Sequence, residues 1–227
     1  TISNKDVANE KTLDVSGLTL GDGSGGTPGL SSNYKLAGGT HTFDITKKDI
    51  TFSGSRVYDG TTTVGSSDLI TTETTSGETL TFSGSGTVSS ANVQNNQTVT
   101  KGSIAIADGS GGGLASNYNL TTGTFDISQK WVIVSGQSVY DATNNVNSSD
   151  LEVTGEVSGE SISITGTGSI SDKNVGSGKT INTSGLSLTD GTHSASNYTI
   201  GTTSFTVTQR NLSISGQKVY DGNETVS

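Results

Sequence analysis

Two tyrosine motifs carry the residues whose types and spacing invite a chemical reading. Val-Tyr-Asp occurs at Val57-Tyr58-Asp59-Gly60, Val139-Tyr140-Asp141-Ala142 and Val219-Tyr220-Asp221-Gly222. Ser-Asn-Tyr occurs at Ser32-Asn33-Tyr34, Ser116-Asn117-Tyr118 and Ser196-Asn197-Tyr198, and all six tyrosines of the chain fall in these two motifs. Facing outward, such aromatics would form a carbohydrate-binding surface. Facing inward, each supplies a large apolar ring and a hydroxyl that needs a partner. The inward reading of Tyr-Asp-Gly is a strand end followed by a turn, in which the Asp carboxylate accepts from a backbone amide two residues on and Gly takes a positive φ. Ala142 in the second copy weakens the positive-φ part of that expectation. The Asn of Ser-Asn-Tyr is expected to make a side-chain turn before a closing strand. Structure is the preferred role for both motifs.

Other chemistry is poorly supplied. The two histidines, His41 and His193, occupy non-equivalent positions with no Cys or second His nearby, which argues against a metal or catalytic site. Asp22-Gly23-Ser24-Gly25-Gly26 and Asp108-Gly109-Ser110-Gly111-Gly112 have the look of a calcium loop. Each offers one carboxylate where such sites take several oxygens, and the third copy, Asp190-Gly191-Thr192-His193, loses the glycines. No cofactor is therefore expected, with calcium as the one alternative. Glu73/Glu78 and Glu156/Glu160 recur in the same part of each repeat, but glycoside chemistry needs two acids facing one cleft. They are expected to decorate a solvated hairpin. Gln97 replaces the recurring Lys11/Lys179, so a Lys–Asn cross-link is not expected. There is no nucleophile elbow or phosphate loop, and no catalytic residue is assigned.

The elements that must position these motifs repeat with a period near 80, the size of a small domain. Tyr58 and Tyr140 are 82 residues apart, Tyr140 and Tyr220 are 80. Each Val-Tyr-Asp follows an alternating run and a Ser-Gly: Ile50-Thr51-Phe52-Ser53-Gly54, Val132-Ile133-Val134-Ser135-Gly136 and Leu212-Ser213-Ile214-Ser215-Gly216. The division expected is 1–49, the C-terminal part of a repeat; 50–130 and 131–210, complete repeats; and 211–227, the start of another. The joints Lys47-Lys48-Asp49, Gln129-Lys130-Trp131 and Gln209-Arg210-Asn211 are short, unlike a flexible linker. A boundary displaced by half a repeat would place the Tyr-Asp motif inside a unit formed from two neighbours.

Within a repeat the apolar period is two, as in Thr79-Leu80-Thr81-Phe82, Ile104-Ala105-Ile106, Ser161-Ile162-Ser163-Ile164 and Leu186-Ser187-Leu188. Gly-Ser and Asp-Gly turns separate these strands. The only helix-like candidates are short turns at Ser66-Ser67-Asp68-Leu69 and Ser148-Ser149-Asp150-Leu151. One loop varies in length, between Asp22 and Tyr34, Asp108 and Tyr118, and Asp190 and Tyr198. The fold class expected is all-β: tandem modules of about 80 residues, each an antiparallel β-sandwich or β-grasp-like sheet, arranged in a rod. The alternative is a continuous β-solenoid.

Composition narrows the function. With 28% hydrophobic residues and 32 glycines, a thin core is expected. Twelve basic residues against 21 acids, net charge −9, argue against nucleic acid and anionic membrane surfaces as partners. No run of 18 apolar residues is present, so no membrane insertion is expected. Cysteine is absent, which removes disulfides and thiolate chemistry. The chain opens Thr1-Ile2-Ser3 without a leader and contains no Met, and it reads as an internal piece of something longer.

In order, the motifs run strand, Val-Tyr-Asp-Gly, Ser-Gly-Glu, Lys173-Asn174-Val175-Gly176-Ser177-Gly178-Lys179-Thr180, Gly-Leu-x-Leu, Ala195-Ser196-Asn197-Tyr198 and a closing strand. That order resembles the YDG repeats of large bacterial surface and secreted proteins of the filamentous haemagglutinin-like class. Ala91-Asn92-Val93-Gln94-Asn95-Asn96-Gln97 departs from it at the Lys and Gly positions, as Ala142 does at the motif Gly. The resemblance implies an exported adhesin at the bacterial cell surface, with tandem repeats forming a non-catalytic stalk in cell adhesion or biofilm. The partners it implies are neighbouring repeats of the same chain, with host or matrix glycan or protein engaged through other regions. The rival is a module that itself binds glycan or host protein. Exposed, co-facing aromatics would favour the rival, and tyrosines more than half exposed in two units would count against the stalk.

Overall fold

Alternating side chains place one side of each strand inward, and the computed structural model accordingly consists of short strands and 3-10 turns. It describes residues 1–36 and 41–225; residues 37–40 of the first partial repeat and 226–227 of the last lie outside the described residues. The all-β expectation holds, and no sheet closes into a barrel. Two compact units form. The first comprises Thr1–Arg56 and Thr61–Ile127, the second Val57–Gly60 and Ser128–Ser227. The first Val-Tyr-Asp-Gly thus belongs to the unit that contains the following repeat.

The second unit packs two sheets face to face. One has the strand order Leu151–Thr154, Lys130–Val139, Tyr198–Thr208, Gly176–Lys179. The other has the order Asn145–Asn147, Ile162–Ile170, Ile181–Asn182, with Leu186–Asp190 also pairing Ile162–Ile170. Val134, Phe205 and Val207 from the first sheet meet Val146, Ile170, Ile181 and Leu186 from the second in one buried cluster. This is the interior of a small sandwich. Alternation explains it directly: Val132 and Val134 are fully buried, while Trp131 before them and Ile133 between them are 76% and 46% exposed.

One pairing is not announced by alternation. Lys130–Val139 and Tyr198–Thr208, the first and last long strands of the repeat, run parallel from Lys130 opposite Tyr198 to Val139 opposite Thr208. A parallel pair needs a long crossover. Here the second sheet supplies it in place of a helix.

The first unit repeats the strand order, with Leu69–Thr71, Lys48–Val57, Tyr118–Ser128 and Gln94–Thr98. Separate ladders join Thr63–Gly65 to Ser85–Thr87, Leu80–Ser83 to Ala105–Asp108 and Ala8–Thr12 to Thr42–Ile45. Ile50, Phe52, Val64, Phe125 and Ile127 are buried. Phe52 meets Phe82 edge-on at 5.9 Å between ring centroids. The Arg56 guanidinium lies 5.4 Å from the Phe125 ring centre, within cation–π range.

The expected short turns are 3-10 turns at Ser66–Asp68 and Ser148–Asp150. They explain the repeated Ser-Gly. A Cβ on Gly54 would stand 2.5 Å from the Asp68 carbonyl oxygen, and one on Gly136 would stand 2.0 Å from that of Asp150. Gly136→Ala is therefore expected to destabilise the second unit by about 1–3 kcal/mol. Gly216, with nothing within 4 Å, is the internal control. Urea denaturation followed by the fluorescence of Trp131, the chain's single tryptophan, checks both: Gly136→Ala lowers the midpoint and Gly216→Ala leaves it in place.

Candidate functional site

In the second unit the tyrosine motifs converge on one carboxylate. Tyr58 continues the line of the Lys48–Val57 strand and donates its backbone N–H to the Ser128 carbonyl at 2.9 Å. Tyr198 opens the Tyr198–Thr208 strand after the 3-10 turn Ala195–Asn197. Asp190 fixes that turn by accepting the Ala195 N–H at 2.7 Å. Glu160 follows a tight turn in which its N–H donates to the Val157 carbonyl at 2.9 Å and Gly159 takes φ 87°.

The Tyr58 hydroxyl donates to Glu160 Oε1 at 2.8 Å, and the Tyr198 hydroxyl donates to Glu160 Oε2 at 2.5 Å. The Tyr198 hydroxyl also accepts the Val157 N–H at 3.2 Å. The two rings meet edge-on, with centroids 5.5 Å apart and planes at 79°. Tyr58 is 3% exposed, Tyr198 2% and the Glu160 side chain 6%. Burial pushes the Tyr58 hydroxyl up to about 12, assisted by its hydrogen bond to Glu160. The same two causes raise Tyr198 further. His193 Nε2 lies 3.8 Å from Glu160 Oε1 at the edge of the cluster.

Half of this cluster recurs in the first unit. The Tyr118 hydroxyl donates to Glu78 Oε2 at 2.6 Å and accepts the Thr75 N–H at 3.1 Å. Glu78 Oε1, which corresponds to the atom that Tyr58 engages on Glu160, instead takes the Lys5 ammonium. The Lys5 hydrogen bond, then that of Tyr118, holds the Glu78 carboxyl below its ordinary range. Asn117 accepts the Val7 N–H at 2.8 Å and donates to Asp6 Oδ1 at 3.0 Å. Beside them lies a cavity of about 200 Å³, lined by Lys5, Val7, Ile45, Glu78, Asn117 and Tyr118 among others.

The placement of Glu78 and Glu160 corrects the solvated-hairpin expectation for these two acids. Each Ser-Gly-Glu turn folds its carboxylate back onto the tyrosine of Ser-Asn-Tyr, 40 residues on for Glu78 and 38 for Glu160. Charged hydrogen bonds to both oxygens offset the cost of burial. Glu73 is exposed and Glu156 half-buried. The recurring offset from Glu to Tyr was the signal available in the sequence.

The remaining motif residues take varied places. Tyr140 is half-buried against the core cluster and donates its N–H to the Thr208 carbonyl at 3.0 Å, as Tyr58 does to Ser128. Asn197 is 1% exposed. Tyr34 and Tyr220 are 67% and 94% exposed, both in partial repeats, and Asn33 is exposed. Asp141 accepts the Thr143 N–H at 2.8 Å and Asp221 the Asn223 N–H at 3.0 Å. Asp59 is exposed at the corresponding place. Gly60, Ala142 and Gly222 share the left-handed conformation, at φ 77°, 69° and 72°. Ala142 adopts it despite a cost of about 1–2 kcal/mol for a residue with a Cβ.

The loop aspartates close the variable loop. Asp22 accepts the Ser31 N–H at 2.7 Å and Asp108 the Ala115 N–H at 2.8 Å, matching Asp190. Among the described residues no group of three or more His, Asp or Glu is placed to hold a metal. Lys11, Lys179 and Gln97 each brace a residue seven positions back. Lys11 donates to the Asn4 carbonyl at 2.9 Å, Lys179 to Asp172 at 2.8 Å, and Gln97 Oε1 accepts the Ser90 N–H at 3.1 Å.

A carboxylate enclosed by two tyrosine donors is a hydrogen-bond clamp. Both tyrosines hold their protons more tightly folded than unfolded. Their contribution is complete below the ordinary tyrosine value of 10.0 and is lost as pH rises through the folded value, about 12 for Tyr58. Denaturation midpoints of the second unit are expected to fall over that window, and Tyr58→Phe is expected to flatten the fall. Urea titrations at stepped alkaline pH, read by Trp131 fluorescence, check this.

The family model of the YDG domain matches residues 44–125 and 131–205. No curated protein matches the chain. No solved structure matches it.

Proposed function

The chain belongs to the YDG domain family, and from that premise we propose that it is a non-catalytic, repetitive stalk region of a bacterial surface or secreted adhesin of the filamentous haemagglutinin-like class. Its role is to hold a distal binding region away from the cell in adhesion or biofilm formation, and its place is extracellular. One observation carries the reading: in the second unit the motif tyrosines Tyr58 and Tyr198 are spent on a buried clamp with Glu160 and are not displayed to a ligand. The acidic balance of the chain, with net charge −9, suits a segment that stays soluble and unattached. No helix among the described residues is long and apolar enough to cross a membrane.

The rival reading, direct binding of glycan or host protein, is favoured by exposed aromatics. Trp131 is 76% exposed on a strand whose next outward residue, Ile133, is 46% exposed. An exposed aromatic beside an apolar neighbour is a place where a sugar ring could stack. Tyr34 and Tyr220, 67% and 94% exposed, also count on this side, and both lie in partial repeats.

The test pairs shape with binding. Small-angle scattering on chains of two, three and four repeats is expected to show the maximum dimension growing by a constant step per repeat. Titration of glycans and matrix proteins against Trp131 fluorescence is expected to leave the signal unchanged. Saturable quenching by a glycan, abolished in Trp131→Ala, would replace the stalk by the binding module.

A further inference from the structure

The central ladder of the second unit joins the strand on which the repeat begins to the strand on which it ends. Lys130–Val139 and Tyr198–Thr208 lie side by side between Leu151–Thr154 and Gly176–Lys179, and they run parallel. Their pairing extends from Lys130 opposite Tyr198 to Val139 opposite Thr208, with one shift of register between Val132 and Ile133. The chain therefore enters at one end of the ladder and leaves at the other, about 30 Å away at ~3.3 Å per residue. A pull on the chain from both sides draws Lys130–Val139 toward its own start and Tyr198–Thr208 toward its own end. The strands are driven past each other, and the evenly spaced bonds of a parallel ladder carry the load together. An antiparallel hairpin pulled at its free ends would open one bond at a time.

Both ends of the ladder are fastened. Where the chain enters, the Gln129 side chain donates to the carbonyls of Ser196 and Tyr198, each at 3.1 Å. Where it leaves, Tyr140 donates its N–H to the Thr208 carbonyl at 3.0 Å, and the Thr208 hydroxyl donates to the Ser138 carbonyl at 3.2 Å. One face of the pair is closed to water by Val132, Val134, Phe205 and Val207, all buried. Away from water each hydrogen bond is stronger. The first unit places Lys48–Val57 beside Tyr118–Ser128 in the same strand order. There Asn119 donates to Asp49 Oδ1 at 2.7 Å and the Thr121 hydroxyl to the Ile50 carbonyl at 2.9 Å, so the residue numbers rise together along the two strands.

We infer that the repeat is a tension-bearing element, in which a pull along the chain is resisted in shear by the parallel ladder between its first and last long strands. The inference rests on the connectivity of the second unit and not on the stalk reading, since a binding module with this topology would resist a pull equally well. Forced unfolding is governed by the unfolding barrier, so the direction of pull matters where equilibrium stability is the same.

Single-molecule force spectroscopy on the full chain tests it. The chain has no cysteine of its own, so introduced pairs define the direction of pull. Ser128→Cys with Gln209→Cys loads the ladder from opposite ends. Val139→Cys with Gln209→Cys loads it from one end, where the bonds open in turn. All three positions are exposed, and an unchanged urea midpoint by Trp131 fluorescence verifies the fold of each pair. Asp141→Cys, also exposed and at the same end, replaces Val139→Cys if that pair does not fold. Rupture between opposite ends releases about 80 residues, ~260–290 Å at ~3.3–3.6 Å per residue. At one loading rate the opposite-end pair is expected to rupture at several times the force of the one-end pair. Gln129→Ala is expected to lower the first force and leave the second unchanged. Equal rupture forces in the two directions, or an effect of Gln129→Ala confined to the one-end pull, overturns the proposal.

Discussion

A buried carboxylate with two tyrosine donors is the constraint on which the second unit depends. The Glu160 side chain is only 6% exposed, where an unpaired charge would be strongly unfavourable. It is tolerated because Tyr58 and Tyr198 each give one oxygen a short hydrogen bond and the Val157 N–H completes the Tyr198 hydroxyl. Remove one tyrosine and the remaining charge is partly uncompensated, so the clamp is held by its own cost of failure. The geometry around it follows. The Ser-Gly-Glu turn must bring Glu160 inward, the Asp190-capped turn must start the Tyr198 strand in register, and Tyr58 must arrive at the end of an extended strand.

The clamp matters more here than it would in a thicker protein. Among the described residues, one buried cluster of the second unit joins Val134, Val146, Ile170, Ile181, Leu186, Phe205 and Val207, with partly buried neighbours at its margin. A chain with 28% hydrophobic residues cannot fill a deep interior. It compensates with close backbone approach. The Gly136 position lets the Ser148–Asp150 turn lie against a strand, and Gly123 leaves room for the Phe52 ring, 2.4 Å from where a Cβ would stand. Glycine thus has a packing role beyond permitting turns.

Much of this was legible in the residues. Alternation located the strands around Leu80, Ile106, Ile162 and Leu186, and Ser-Ser-Asp located the two short turns. What escaped depends on contacts distant in sequence. Glu78 and Glu160 read as surface acids because nothing local distinguishes a buried acid from a solvated one; only their partners, about 40 residues away, do so. The parallel pairing of Lys130–Val139 with Tyr198–Thr208 is silent in the alternating pattern, which has the same period in either direction. Ala142 argued against a positive φ on intrinsic preference, yet the turn imposes it. The loop aspartates Asp22 and Asp108 accept the Ser31 and Ala115 N–H groups across their loops, a role that the neighbouring glycines and serines do not announce.

The most direct test of the account is a double-mutant cycle on Tyr58→Phe and Glu160→Gln, with stability read from urea denaturation by Trp131 fluorescence. If the clamp holds the second unit together, each single change destabilises it and the two are non-additive by more than about 1 kcal/mol, since either one alone breaks the same hydrogen bond. Additive effects within about 0.5 kcal/mol would show that Tyr58 and Glu160 act independently, and would contradict the claim that their pairing is what the unit depends on.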